Sequence, residues 1–407
     1  MKSRRMHYPP ASGLAEDDRA GGPLAGIRVV AVEHSVAGPL CTRILGDLGA
    51  HVLKIERSGT DGDFARHWDS HAAGEGAQFW WLNRRKQSLA LDLSAPGDRE
   101  LLSDLLAQAD VLVHNMSPAA ATRAALDKES VARAWPTLIA CQISGYGADT
   151  PSVSHRKAYD MLIQAESGIM SLTGTPDDVC RVGVSICDVS TGLYAALLIL
   201  AALRDRDRSG TGARIDLAMF DVALEFVGPM LTSHLNAGVE YERSSARHHA
   251  IAPYGVFTCG DGNQIVLAIE QDAEWRAFCR EVLGDELLAD DDRFATNGRR
   301  IANRSEVDAL VERHLAQTDI DAFVATCDRH GFAYGRVNDI AAVSGHPLVT
   351  GRAVVEDVES ASGELVRSLV GLPERVFGAP AGERIRPPKF DEDRTETMTL
   401  GTLGGDT

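Results

Sequence analysis

The chain is poor in positive charge. Its 407 residues carry 41 Lys and Arg against 58 Asp and Glu, a formal net charge of −17 at pH 7. That balance excludes the broad basic footprint of a nucleic-acid binder, although a few local arginines can still hold a small anion. Aromatic residues make up only 6%, while a hydrophobic share of 44% is ordinary for a soluble protein with a sizeable core. The seven cysteines (41, 141, 180, 187, 259, 279 and 327) form no CxxC pair and keep no regular spacing. An odd, scattered set reads as reduced intracellular thiols and excludes both a disulfide framework and a zinc site. No apolar run approaches the ~20 residues that a bilayer crossing needs, so the longest, around Leu193 to Leu203, reads as a buried core helix. The opening "MKSRRMHYPPASGLAEDDRAGGP" has basic residues without the apolar core of a signal peptide, and reads as a flexible tail over 1–23. A cytoplasmic protein with no membrane and no nucleic-acid partner is expected.

What is there is an alternation of strands and helices. Ile27 to Glu33 is a β-branched run, Ala37-Gly38-Pro39 can start a helix, and Leu40, Ile44, Leu45 and Leu48 recur at helical spacing. Gly49 ends that helix and Val52 to Ile55 is a second strand, a β-α-β unit that implies a parallel sheet. "QSLALDL", the helix "DRELLSDLLAQA", "DVLVHN" and "TLIACQISGYG" continue the pattern. It predicts an α/β fold: a Rossmann-like open parallel sheet forming a large domain over 24–225, a smaller α/β domain over 226–340, and a C-terminal return to the large domain over 341–407. In the smaller domain "CGDGN" reads as a hairpin turn.

A nicotinamide site in the first unit is tempting, because Glu56 follows the first strand by about the ~20 residues of a dinucleotide fingerprint. The glycines argue against it. "EHSVAGPL" has one glycine, followed by proline, where G-x-G-x-x-G needs three. Glu56 then reads as a solvated strand-end acid, and Arg84, Arg85 and Lys86 as solvated surface charge.

The stretch "VSICDVSTG" runs straight into "LYAALLILAAL". It places Asp188 between an apolar, strand-like run and an apolar helix. Asp is among the best N-cap residues, so a cap is the plain reading. A carboxylate at a semi-buried strand end, where sheet proteins bind ligands, is the alternative, with Gly192 leaving room for a ligand. The helix dipole would then hold it ionised and ready as a nucleophile.

Six ordered blocks decide how to weigh that aspartate. "VVAVEHSVAGPLCTRILGDLGAHVLKIER", "DVLVHNMSPAAATR", "ISGYG", "RKAYDMLIQAESGIMSLTG", "CDVSTGLYAALLILAAL" and "IAPYGVF" resemble the class III CoA-transferases over about Leu24 to Pro388. That family includes formyl-CoA transferase, carnitine CoA-transferase and the related α-methylacyl-CoA racemases. The resemblance implies CoA transfer between small carboxylic acids by way of an aspartyl-CoA thioester on Asp188, with no metal and no permanently bound cofactor. CoA and acyl-CoA enter as substrates, and an interlocked homodimer is implied, each chain threaded through the ring of the other.

Carried over position by position, the resemblance implies that Ser35 and Val36 meet the pantetheine near the nucleophile and that Arg57 lies near the adenine and phosphates. Asn115, Met116 and Arg123 match the groove for the nucleotide end, and Lys157, Ala158 and Tyr159 the CoA path. Asp160 matches an acid beside the site that positions the nucleophile, moves a proton, or serves only in an ion pair with Lys157 or Arg156. In the racemases the Tyr159 position looks like a histidine that acts as an acid/base. Tyrosine, with a reference pKa of ~10, is a poor base at neutral pH, so transfer is favoured over racemisation. Arg247 and His248 are candidates to grip a substrate's second carboxylate, with a polar loop as the plain reading. The chain lacks the glycine-rich loop that covers the formyl-CoA transferase site. The wording of "DFARHW", "RKAYDMLIQAESG" and "IAPYG" is most like the branch that handles dicarboxylates such as succinate, itaconate, mesaconate or citramalate.

Overall fold

The computed structural model describes residues 21–380, 385–395 and 397; most of the tail expected over 1–23 lies outside them. Two compact units divide the chain. The first takes in Met1–Ile169, Val182–Val239 and Pro347–Thr407, the second Met170–Arg181 and Glu240–His346.

The first unit is built on six strands: β1 (Arg28–Val32), β2 (His51–Arg57), β3 (Lys86–Leu91), β4 (Val111–His114), β5 (Ile139–Ser144) and β6 (Arg214–Ala218). All neighbours pair in parallel in the order β3-β2-β1-β4-β5-β6. This is the doubly wound order, in which the sheet reverses direction between β1 and β4 and opens a crevice at the strands' carboxyl ends. Val29, Val30 and Ala31 are wholly buried, as a central strand covered on both faces requires. The unit's helices before residue 240 are α1 (Ala37–Asp47), α2 (Ala77–Asn83), α3 (Pro96–Leu106), α4 (Pro118–Arg123), α5 (Lys128–Ala134), α6 (Asp160–Glu166), α8 (Ile186–Ser209) and α9 (Met219–Ala237), while the short α7 (Ile169–Leu172) leads into the second unit. Residue 226, where the sequence reading divided the chain, falls inside α9, which continues to the glycine cap at Gly238. The apolar run expected to be too short for a bilayer belongs to the 24-residue α8, which is long and apolar enough to span one by length and composition, though half of its apolar window is buried in the chain.

The second unit contains a three-stranded antiparallel sheet, β7 (Tyr254–Thr258), β8 (Gln264–Ala268) and β9 (Ala333–Arg336). The turn at Cys259–Asn263 closes the first hairpin through a Cys259 N–H to Asn263 carbonyl bond of 2.8 Å. Trp275, Phe278, Phe294 and Phe323 fill the core beneath it.

Charges buried beside β1–β3 correct two expectations. Glu56 is not solvated: it is 4% exposed, pairs with Arg66 at 2.6 Å, and accepts from the Ser88 hydroxyl at 2.6 Å and the Asp63 amide at 2.8 Å. Lys86 is wholly buried, donating to Glu33 at 2.7 Å, to the Pro39 carbonyl at 3.0 Å and to Asn83 at 3.0 Å. Lys54, also wholly buried, pairs with Asp63 at 2.9 Å and donates to the Glu33 carbonyl at 3.1 Å. Arg84 bonds Asp47 at 2.8 Å and Glu374 at 2.6 Å, and Arg85 pairs with Glu374 as well. Arg84 and Arg85 thereby tie the C-terminal return to the sheet, while Lys54 and Lys86 fasten the strand ends to the β1–α1 region.

Candidate active site

The first turn of α8 carries Asp188, and the structure changes how it is held. Residues 182–185 are not a strand. Ser185 is the N-cap and makes no side-chain cap bond, so Asp188 is the third residue of the helix and not its cap. An uncapped helix start leaves amide donors to satisfy. The carboxylate of Asp160 takes them: its Oδ1 accepts from the Cys187 amide at 2.8 Å and from the Asp188 amide at 3.3 Å. Asp160 opens α6 and is itself buried. Its other oxygen accepts from Gln164 Nε2 at 2.6 Å. Thus a carboxylate 28 residues away caps the helix, which frees the side chain of Asp188.

The electrostatics also run opposite to the dipole argument. Burial, and then the like charge of Asp160, push the Asp188 carboxyl from 3.8 up to about 7, with no cation among the causes. Next to it, burial drives the Cys187 thiol up to about 12, which keeps that thiol neutral. Asp188 is therefore a carboxyl poised near neutrality, a basic and reactive carboxylate once ionised.

The β1–α1 turn lies against this first turn. Val36 is 2% exposed and shares an apolar cluster with Leu40, Leu82 and Val189, the residue after Asp188. A Cβ on Gly192 would come within 2.8 Å of the Ala37 carbonyl and 2.9 Å of the Leu40 Cβ. Gly192 makes room for helix α1, not for a ligand as expected. Ser35 holds a left-handed φ of 69°, and its amide donates to Asp63 at 3.2 Å. Asn115, just past β4, donates to the His34 carbonyl at 2.8 Å and accepts the His34 amide at 3.2 Å. Its side chain bridges the β1–β4 crevice and so shapes the turn that carries Ser35 and Val36.

The remaining candidates of the first unit spread around this edge. Arg57 ends β2 and Arg123 ends α4, both exposed. Met116 packs against the cluster that includes Leu126 and Val131. Ala158 sits so close to Gly145 of "ISGYG" that a Cβ there would meet its own at an impossible distance. Lys157 is exposed, and Tyr159, the N-cap of α6, is 64% exposed. The ion pair considered for Asp160 is absent among the described residues, since Arg156 bonds Glu166 instead.

In the second unit Arg247 is already engaged: Nε with Asp308 at 2.9 Å, Nη2 with Glu312 at 2.9 Å, and Nη1 with the Val256 carbonyl. That leaves it poorly suited to gripping a substrate carboxylate. His248 stacks between His249 and Tyr254 at 4.8 and 4.9 Å, and its Nδ1 accepts the Ala250 amide at 3.2 Å. The sequence reading missed Gln164, whose i, i+4 spacing from Asp160 in "YDMLIQ" was the available signal.

A doubly wound sheet, with turns converging on its switch point and beside them a half-buried carboxyl that has no ion-pair partner among the described residues, defines an α/β enzyme for a nucleotide-bearing substrate. The chain belongs to CoA-transferase family III, whose family model matches residues 24–394. It is a CoA-transferase, an enzyme whose substrates are CoA thioesters and carboxylic acids. It is 34% identical over 95% of its length to an acyl-CoA transferase of Fusarium pseudograminearum, covering 86% of that protein. It is 32% identical over 92% of its length to a succinate–glutarate CoA-transferase of Agrobacterium fabrum, covering 95% of it. A crystal structure of a CaiB/BaiF family protein from Brucella suis superposes with a TM-score of 0.81 at 34% identity, over 93% of this chain and 100% of that one.

Proposed function

We propose that this enzyme moves CoA between small dicarboxylic acids and that Asp188 is its nucleophile. The observation that carries the mechanism is the half-buried carboxyl of Asp188, raised with no cation among the causes and carried on the helix turn that packs against the β1–α1 turn at the sheet's switch point. The relatives support the substrate class: besides the Agrobacterium protein, a succinyl-CoA:mesaconate CoA-transferase of Haloarcula hispanica is 29% identical over 94% of the chain.

In this mechanism an Asp188 oxygen attacks the thioester carbon of the donor acyl-CoA. The C–S bond breaks, leaving a mixed anhydride on Asp188 and free CoA thiolate. The thiolate then attacks the aspartyl carbonyl, the donor acid leaves as carboxylate, and Asp188 carries CoA as a thioester. The acceptor acid runs the two steps in reverse. Carboxylate exchanges for carboxylate throughout, so no net proton or electron is required. A raised pKa makes Asp188 more nucleophilic than an ordinary carboxylate once it is ionised.

Asp160 positions Asp188 by capping its helix. Ser35 and Val36 receive the pantetheine, Arg57 and Arg123 the phosphates, and Asn115 and Met116 the nucleotide end. Lys157, Ala158 and Tyr159 line the path between them. His248 is the remaining candidate for a substrate's second carboxylate. The working state is a cytoplasmic homodimer without a resident cofactor. A second copy covers the apolar side chains that α8 and α9 expose, among them Leu193, Leu197, Phe226 and Leu235.

A panel of acyl-CoA donors against acceptor acids, read by mass spectrometry, tests the assignment. New acyl-CoA from four- and five-carbon dicarboxylates, exceeding that from monocarboxylates, is expected. Deuterium uptake at the α-carbon of an acyl-CoA without any acceptor would point instead to a racemase-like isomerase.

A further inference from the structure

Gln164 is wholly buried, and its amide is used at both ends. Nε2 donates to Asp160 Oδ2 at 2.6 Å and to the Val184 carbonyl at 3.4 Å, while Oε1 accepts the Val182 amide at 2.8 Å. Two things are thereby tied to one side chain. One is the carboxylate that caps α8, and the other is the backbone that leads into α8. From Gln164 the contacts run through Asp160 Oδ2 and Oδ1 to the amides of Cys187 and Asp188. The side chain of Asp188 takes no part in that series.

The need for such a tie follows from the local structure. Ser185 offers α8 no side-chain cap, so the helix start depends on a group from another helix. A carboxylate on the first turn of α6 has two rotatable bonds and several staggered choices. A donor one turn further along the same helix selects one of them.

We infer that Gln164 is a positioning residue for the transfer reaction: through Asp160 and the 182–184 backbone it fixes the first turn of α8, and with it where the Asp188 carboxylate meets the thioester carbon. The inference rests on Asp188 being the nucleophile. It differs from a packing role, because a side chain of equal volume without hydrogen bonds would satisfy packing alone. Gln164→Met is that side chain. Gln164→Glu keeps an acceptor for the Val182 amide, loses the donor to Asp160, and sets like charge against it.

The experiment measures kcat, the KM for succinyl-CoA and the melting temperature of the full-length chain. It uses Gln164→Met, Gln164→Glu, Asp160→Ala and the double variant Asp160→Ala/Gln164→Met, with Asp188→Asn in parallel. Misplacing a reacting group by about 1 Å costs ~100-fold, so Gln164→Met should lose about 30- to 100-fold in kcat while KM changes by less than about 3-fold. Gln164→Glu should lose at least as much. In the Asp160→Ala background the further change to Met should cost less than about 3-fold, since the group through which Gln164 acts is gone. Wild-type kcat in Gln164→Met, a loss seen in KM alone, or an undiminished loss in the Asp160→Ala background would each overturn the inference. Should Gln164→Met fail to fold, Gln164→Glu combined with Asp160→Ala decides by the same criteria. Turnover by Asp188→Asn would remove the nucleophile reading itself. An inactive Asp188→Asn beside a fully active Gln164→Met would leave that reading standing and reject this one.

Discussion

Two groups of carboxylates lie buried or half-buried around the turn that follows β1, and they keep opposite company. Burial alone would raise Asp63 and Glu56, yet both are held below their ordinary values. For Asp63, Lys54 and the amides of Ala65 and Ser35 outweigh burial; for Glu56, the bonds from Arg66 and Ser88 and the charge of Lys54 do so. Lys54 is raised in turn by Asp63 and Glu33, which overcome its burial. Asp188 is half-buried beside another acid and rises to about 7. The difference teaches which buried acids hold the fold and which are kept for chemistry. Paired with cations, a carboxylate fastens the strand ends and the turn; with only Asp160 for company, it is costly to the fold and ready to react.

The largest effect should come from Asp188→Asn. Loss of the nucleophile should reduce CoA transfer by at least about 10⁴-fold. The same change should stabilise the protein at pH 8. A carboxyl raised from 3.8 to about 7 makes the folded state bind its proton more tightly than the unfolded chain does. Its contribution is therefore most favourable below about pH 4 and is lost as pH rises through about 7, and the amide, which does not titrate, escapes that loss. By linkage the gain at pH 8 is about 2–4 kcal/mol, readable by urea denaturation at pH 5 and pH 8.

Lys54→Met should do the reverse in the other group. Asp63 is left buried without its cation, and stability should fall by about 3–5 kcal/mol, read as a lower urea midpoint. A Lys54→Met protein as stable as wild type would erase the contrast between the two groups.

A smaller effect belongs to the exposed cations at the same edge. Arg57→Ala should raise the KM for the CoA donor about ten-fold, the loss of one phosphate contact worth about 1.5–3 kcal/mol, and leave the KM of the acceptor acid nearly unchanged. Steady-state kinetics with each substrate varied in turn separates the two.

The smallest effect sharpens the comparison from within the site. Asp160 is the one charged group that raises Asp188, after burial. Asp160→Asn should move the acid limb of the pH profile of kcat/KM for the donor to lower pH, by about one unit or less, because burial remains. An unchanged limb would mean that Asp160 acts on position alone.

Much of this arrangement was legible in the sequence, and what was not has a common cause. The alternation from β1 to β5 was visible because each strand carries a short, largely apolar run between helical repeats, as a doubly covered parallel sheet demands, even though β2 holds Lys54 within it. The aspartate at the start of an apolar helix was visible for the same reason. The burial of Glu56, Lys86 and Arg84 was not, because their partners come from other elements: Ser88 bonds Glu56 across 32 positions, Glu33 accepts from Lys86 across 53 and Leu369 accepts from Arg84 across 285. The capping of α8 was misassigned because the cap comes from α6 and not from the adjoining residues. Glycine misled as well, since the space at Gly192 is filled by a neighbouring helix that no local pattern announces.

A nucleophilic Asp188 must become covalently linked during transfer. Wild-type enzyme incubated with succinyl-CoA and then with hydroxylamine, digested and mapped by mass spectrometry, measures this directly. The prediction is a hydroxamate on the peptide that carries Asp188, formed only when the acyl-CoA is present, with every other carboxylate unmodified. Turnover with no adduct at Asp188, or an adduct on another acid, would contradict it.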